Sequence, residues 1–118
     1  QKAIGERDLA RAIDITLRMV SAERNEILII TMLTRYFTSL SKLLEASATT
    51  SNPMELSRSV EINSYFIPDY IAALRRYSPN DLANAFLAMR EADIALKTTA
   101  AHTEAIMQKM ILSIIGGR

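Results

Sequence analysis

The sequence has no cysteine and no tryptophan, a single histidine, and only three glycines and three prolines in 118 residues. Each shortage removes chemistry. Without cysteine there is no disulfide, iron–sulfur cluster, thiolate zinc site or thiol nucleophile, a composition that fits a reducing, cytoplasmic compartment. Gly5, Gly116 and Gly117 stand at the chain ends, so no glycine-rich loop can cradle a nucleotide phosphate. His102 has no second histidine or cysteine with which to share a zinc ion. No Gly-x-Ser-x-Gly elbow offers it a nucleophile, and it reads as a solvated loop residue. Neither sign of charge dominates: 14 basic and 13 acidic residues leave a net +1, whereas a chain that coats nucleic acid carries a larger basic surplus. Unbroken apolar runs such as Ile27 to Ile30 fall far short of the ~20 residues that span a bilayer. No catalytic residue, cofactor or metal is expected.

What remains is helical. Apolar residues make up 49% of the chain and recur with the period of 3.6 that buries one face of a helix. No segment alternates with period two for long enough to make a strand. From Leu9 the stripe runs through Ala12, Ile13, Leu17 and Val20, and Ser21 to Arg24 reads as a polar connection. Asn25 is placed to cap a second helix, the most apolar of the chain, running from Ile27 through Tyr36, Phe37 and Leu40 to Leu44. A helix greasy nearly all round is either central or has one face in its own core and another against a partner. Asn52-Pro53-Met54-Glu55 and Ser78-Pro79-Asn80-Asp81 are helix starts, with a capping side chain, a proline in the first turn and an acid three residues on. Asn63-Ser64 is a turn, Pro68 opens a short helix, and Thr98 to His102 is a break. A last helix ends at Gly116-Gly117. The expected fold is all-α: a compact antiparallel bundle of four main helices and two short ones, joined by short loops. Residues 1–118 are expected to form one helical oligomerisation domain. The start at Gln1 rather than methionine suggests a piece of a longer chain.

Asp93 is the informative acid. Leu82, Phe86, Met89 and Leu96 form an apolar stripe and Asp93 falls on it, with Lys97 four residues later in the favourable order for a helical ion pair. A charge among apolar side chains is costly unless paired. The pair has three readings. It ties this helix to a neighbouring helix, in which case Asp93→Ala costs roughly 3–5 kcal/mol; or to a neighbouring subunit, in which case the change spares the melting temperature and weakens subunit binding; or it is a surface pair worth ~0.5 kcal/mol. Arg58, Arg75 and Arg76 lie in a short-helix, turn, short-helix region. Its second helix offers Tyr70, Ile71, Ala72, Ala73 and Leu74, which is core material rather than a row of polar groups for base edges.

The residues carry a resemblance. The stretch 29–44, IITMLTRYFTSLSKLL, puts an arginine and an aromatic in the middle of an apolar helix. The stretch 66–99, FIPDYIAALRRYSPNDLANAFLAMREADIALKTT, has an apolar-Pro entry at Ile67-Pro68, the Arg76-Tyr77-Ser78 boundary, and the ending Ala92-Asp93-x-x-Leu96-Lys97-Thr98. The final AIMQKMILSII closes the pattern. Nearly the whole chain resembles the C-terminal collar domain of the delta subunit of the bacterial clamp loader of DNA polymerase III. That resemblance implies an AAA+ ATPase-fold protein that has lost hydrolysis. Its N-terminal region, outside this chain, would grip the sliding clamp, while its helical domain joins the delta-prime and gamma/tau subunits in a collar above primed DNA during DNA replication in the bacterial cytoplasm. Any contact with DNA would be indirect for this domain, and no membrane is involved. The loop 98–102 departs from a base-stacking role, because it offers an imidazole and no aromatic ring.

For an assembly domain, the expected interface or register residues are Arg35, Tyr36, Arg76, Asp93 and Lys97. The alternative is a helical ligand-binding or regulatory domain of a transcription regulator, with the six methionines lining a pocket. It would show a closed apolar cavity of ~300 Å³ or more.

Overall fold

Two helix starts show how local chemistry sets the boundaries. The Asn52 side chain accepts a hydrogen bond from the Met54 N–H at 2.9 Å, and Pro53 fills the first helical position, where its missing N–H costs nothing. Glu61 ends that helix in the left-handed conformation, φ 57°. At Ser78 the bonds are reciprocal: its hydroxyl accepts from the Asp81 N–H at 3.1 Å, and the Asp81 carboxylate accepts from the Ser78 N–H at 2.9 Å.

The computed structural model describes residues 2–23, 25–98 and 102–116. In chain order these form α1 (Lys2–Gly5), α2 (Leu9–Glu23), α3 (Glu26–Ala46), α4 (Pro53–Val60), a 3₁₀ turn (Ser64–Phe66), α5 (Ile67–Leu74), α6 (Pro79–Thr98) and α7 (Thr103–Gly116). No strand occurs among the described residues. The four long helices expected from the sequence are α2, α3, α6 and α7, and the short ones are α4 and α5.

Three details differ from that expectation. A further short helix, α1, ends at Gly5, ahead of the stripe that starts at Leu9. Ser21 to Glu23 continue α2 instead of forming a connection, because an unbroken backbone ladder outweighs a few polar side chains; Arg24 lies outside the described residues. Asn25 occupies the cap position of α3 but makes no side-chain cap bond; its carbonyl accepts from the Ile29 N–H at 2.9 Å. Residues 99–101 of the expected break and Gly117 of the expected stop also lie outside the described residues. His102 is exposed at φ 68°, and its carbonyl opens the α7 ladder by accepting from the Ile106 N–H.

Helix α3 is the spine. Phe37, Leu40 and Leu43 are fully buried, and each contributes ~1.5–3 kcal/mol by leaving water. The sparse aromatics concentrate here. Phe37 meets Tyr36, Tyr77 and Phe86 edge-to-face at 5.4, 5.5 and 6.5 Å between centroids, and Tyr36 meets Tyr70 at 5.2 Å. Helix α6 runs antiparallel along α3, with Thr34 bonded to the Met89 sulfur and Phe37 facing Phe86. Helix α7 packs on both α6 and α2, whereas α2 barely touches α3, its neighbour in sequence. A second core of Leu43, Leu56, Val60 and Ile67 gathers where α4 and α5 cover the end of α3, and Tyr70 and Leu74 join it to the first. The bundle is long, 46 × 26 × 23 Å, with a radius of gyration of 14.7 Å. By length and composition α3 is apolar enough to cross a membrane, but its packed face is the core of this bundle.

Candidate assembly surface

Helix α6 has apolar residues on two sides. Leu82, Ala85, Met89 and Ala92 are buried, yet Leu87 and Ile94, two turns apart on the outward side, are 53% and 50% exposed. On α3, Ile27 is exposed to the same degree. Between these helices lies an open groove of about 450 Å³, with Ile30, Thr34, Phe86 and Met89 in its walls and Arg35, Arg90 and Asp93 beside them. Arg35 and Arg90 are exposed, and among the described residues neither forms an ion pair.

Asp93 sits at the edge of its stripe, where α3 leaves it open to solvent. Its partner is Lys97 of the same helix, at 2.9 Å, and the two side chains are 36% and 69% exposed. Within the domain this is the solvated surface pair and not a buried tie to another helix. Asp93→Ala is therefore expected to cost about 0.5 kcal/mol by urea unfolding, in place of the larger loss that a buried pair would give.

Consecutive residues diverge by ~100° on a helix, and Arg35 and Tyr36 accordingly face opposite flanks of α3. Tyr36 and Arg76 line a second open cleft, of about 460 Å³, between α1, α3 and α5. The Tyr36 ring is buried, and a methyl group added at Gly5 would lie 2.5 Å from its hydroxyl. Burial foremost, then the neighbouring Tyr70 and Tyr77, raises the pKa of the phenol, which stays neutral. Arg76 donates to the Gly5 and Ala72 carbonyls at 3.3 and 3.4 Å. The five residues singled out from the sequence thus divide into Arg35 and Asp93 at the groove, with Lys97 paired to Asp93, and Tyr36 and Arg76 at the cleft.

Arg7 carries no mark in the sequence. Its guanidinium donates to the Ile115 carbonyl at 3.0 Å, to the Arg76 carbonyl and to Asp81 at 3.2 Å, and lies 4.6 Å from the centroid of the Tyr77 ring. No local pattern signals a contact between positions 7 and 115. Leu87, Arg90 and Ile94 join the surface as well, although the sequence pattern did not single them out; apolar residues seven apart and outside the main stripe were the readable sign.

A buried ligand has little room. The apolar recess framed by Ile4, Ala12, Met19 and Ile29 holds about 70 Å³, well below ~300 Å³. The larger groove and cleft open to solvent. Among the described residues, no three His, Asp or Glu side chains gather as metal ligands. Arg58, Arg75 and Arg76 are exposed around short helices whose inward residues, Leu56, Val60, Ile67 and Ala73, belong to the core.

The fold and surface define an all-helical domain whose apolar side chains outrun the core that can hide them. The chain belongs to the family formed by the C-terminal domain of the DNA polymerase III delta subunit, whose model matches residues 1–114. Comparison with curated proteins and with solved structures yields no match.

Proposed function

We propose that the chain is the collar domain through which a clamp-loader delta subunit joins its sister subunits, delta-prime and gamma/tau, so that the assembly can load the sliding clamp on primed DNA. The observation that carries this reading is the apolar surplus on the outward sides of α3 and α6, where Ile27, Leu87 and Ile94 are each about half exposed. Apolar surface of this kind, edged by charge, is what a protein contact covers. Residues 1–118 act in this reading as one assembly module, working inside the cell at the replication fork. Arg35, Tyr36, Arg76, Asp93 and Lys97 remain its proposed register and interface residues. Hydrolysis of nucleotide and grip on the clamp belong to other parts of the loader.

The test mixes the full-length subunit with full-length delta-prime and gamma/tau at micromolar concentration. Co-elution in size-exclusion chromatography is expected. Removal of residues 1–118 should abolish it, and separate elution of the intact subunits would overturn the proposal.

A further inference from the structure

We infer that the α3–α6 groove is the seat of one neighbouring subunit, and that its occupant is an amphipathic helix carrying carboxylates beside its apolar face. This rests on the assembly reading above and adds the surface and the chemistry of the partner.

Three observations converge. The groove's walls join Ile30, Phe86 and Met89 with Thr31 and Thr34, and half-exposed apolar side chains stand on the outward sides of the same two helices at Ile27, Leu87 and Ile94. The charge beside it is unbalanced: Arg35 on one helix and Arg90 on the other have no ion-pair partner among the described residues, while Asp93, the acid in the groove's lining, is already paired with Lys97. Opposed arginines flanking an apolar trough complement a helix whose apolar ridge enters the trough and whose acids lie to either side. Arginine suits this work because its planar fork holds a carboxylate by two hydrogen bonds. The size fits as well. The lining residues span Ile30 to Arg35 and Phe86 to Asp93, about two helical turns at ~1.5 Å per residue.

The α1–α3–α5 cleft is the weaker candidate for such a partner. Its charges are mixed, with Lys2 and Arg76 set against Glu6 and Asp69, and Arg76 already donates to two backbone carbonyls. The recess between α1, α2 and α3 is too small for more than a side chain.

The experiment uses the full-length subunit with its full-length partners. Arg35→Glu combined with Arg90→Glu is compared with Arg76→Glu and with the unaltered chain, and affinity is measured by calorimetry at two salt concentrations. Circular dichroism checks that each variant folds. The double reversal is expected to weaken assembly about tenfold or more and to remove most of its salt dependence, with the melting temperature kept. Replacing the facing acids of the partner helix by arginine should restore binding. If the unaltered chain assembles but the folded double variant assembles equally well, the groove is not the seat. If Arg76→Glu alone disrupts assembly, the cleft takes its place. Failure of the unaltered chain to assemble would instead sink the collar reading itself.

Discussion

Arg7 stands in a left-handed backbone conformation, φ 54°, and reaches from the α1–α2 corner to the start of α6 and the end of α7. One carbonyl it satisfies, that of Ile115, belongs to the last turn of α7, where carbonyls lack intrahelical donors and a cation is favoured by the helix dipole. Another, on Arg76, lies in the turn before α6. Arg7→Met keeps much of the stem but leaves these acceptors and Asp81 without the guanidinium. The expected loss is about 2–3 kcal/mol in urea unfolding, and a change below about 0.5 kcal/mol would show that the contact contributes nothing. Tyr77, beneath the same guanidinium, donates its hydroxyl to the Ile4 carbonyl and is 2% exposed. Burial pushes its pKa from 10.0 up to about 12, against the opposing pull of Arg7. Between those values the unfolded chain releases the proton and the folded chain keeps it. The stabilising contribution is therefore complete below pH 10 and is lost as pH rises toward 12. Tyr77→Phe should flatten part of the alkaline decline in a melting-temperature profile, and an unchanged profile would contradict the assignment.

Among the elements, α4 depends most on its ends. Its eight residues are too few to be stable alone, so its cap and its two buried side chains, Leu56 and Val60, hold it in place. Asn52→Ala is expected to cost about 1 kcal/mol, seen first as faster hydrogen exchange in α4 and not in α6. Equal acceleration in both helices would mean that α4 does not open separately. The start of α6 carries a pH signature of the opposite sign to that of Tyr77. The Ser78 N–H foremost holds the Asp81 carboxyl below its ordinary value of 3.8, with the Ser78 hydroxyl and Arg7 adding to it. That contribution is present above the unfolded value and disappears as pH falls through the folded one.

At the scale of the whole molecule, Phe37 is the junction. It is fully buried and touches aromatic rings from α3, from the turn before α6 and from α6 itself. Phe37→Ala should cost about 3–5 kcal/mol, whereas Leu87→Ser with Ile94→Ser should change stability by about 0.5 kcal/mol or less while weakening subunit assembly. Loss of fold in the serine double variant would show that those side chains serve the bundle and not a partner. Helix α6 packs on both α3 and α7, and α7 in turn packs on α2. Removing α7 would consequently strip the burial from both α2 and α6.

Much of this was legible beforehand for a physical reason. Helix period, proline and asparagine starts and the Asp93–Lys97 spacing depend on residues within a turn or two of one another, and the backbone ladder makes them act locally. The same locality explains the boundary error at Ser21 to Glu23, where propensity was overruled by the continuing ladder. Which helix meets which was not local. The return of α7 to α2, the meeting of Arg7 with Ile115, the division of Arg35 from Tyr36 and the exposure of Asp93 follow from packing across dozens of residues. Sequence by itself determined that this chain is helical, lacks the residues for thiol or phosphate-loop chemistry and has apolar side chains to spare. Only the tertiary structure decided where the surplus surfaces, because solvent exposure is a property of the faces that remain after the helices have packed.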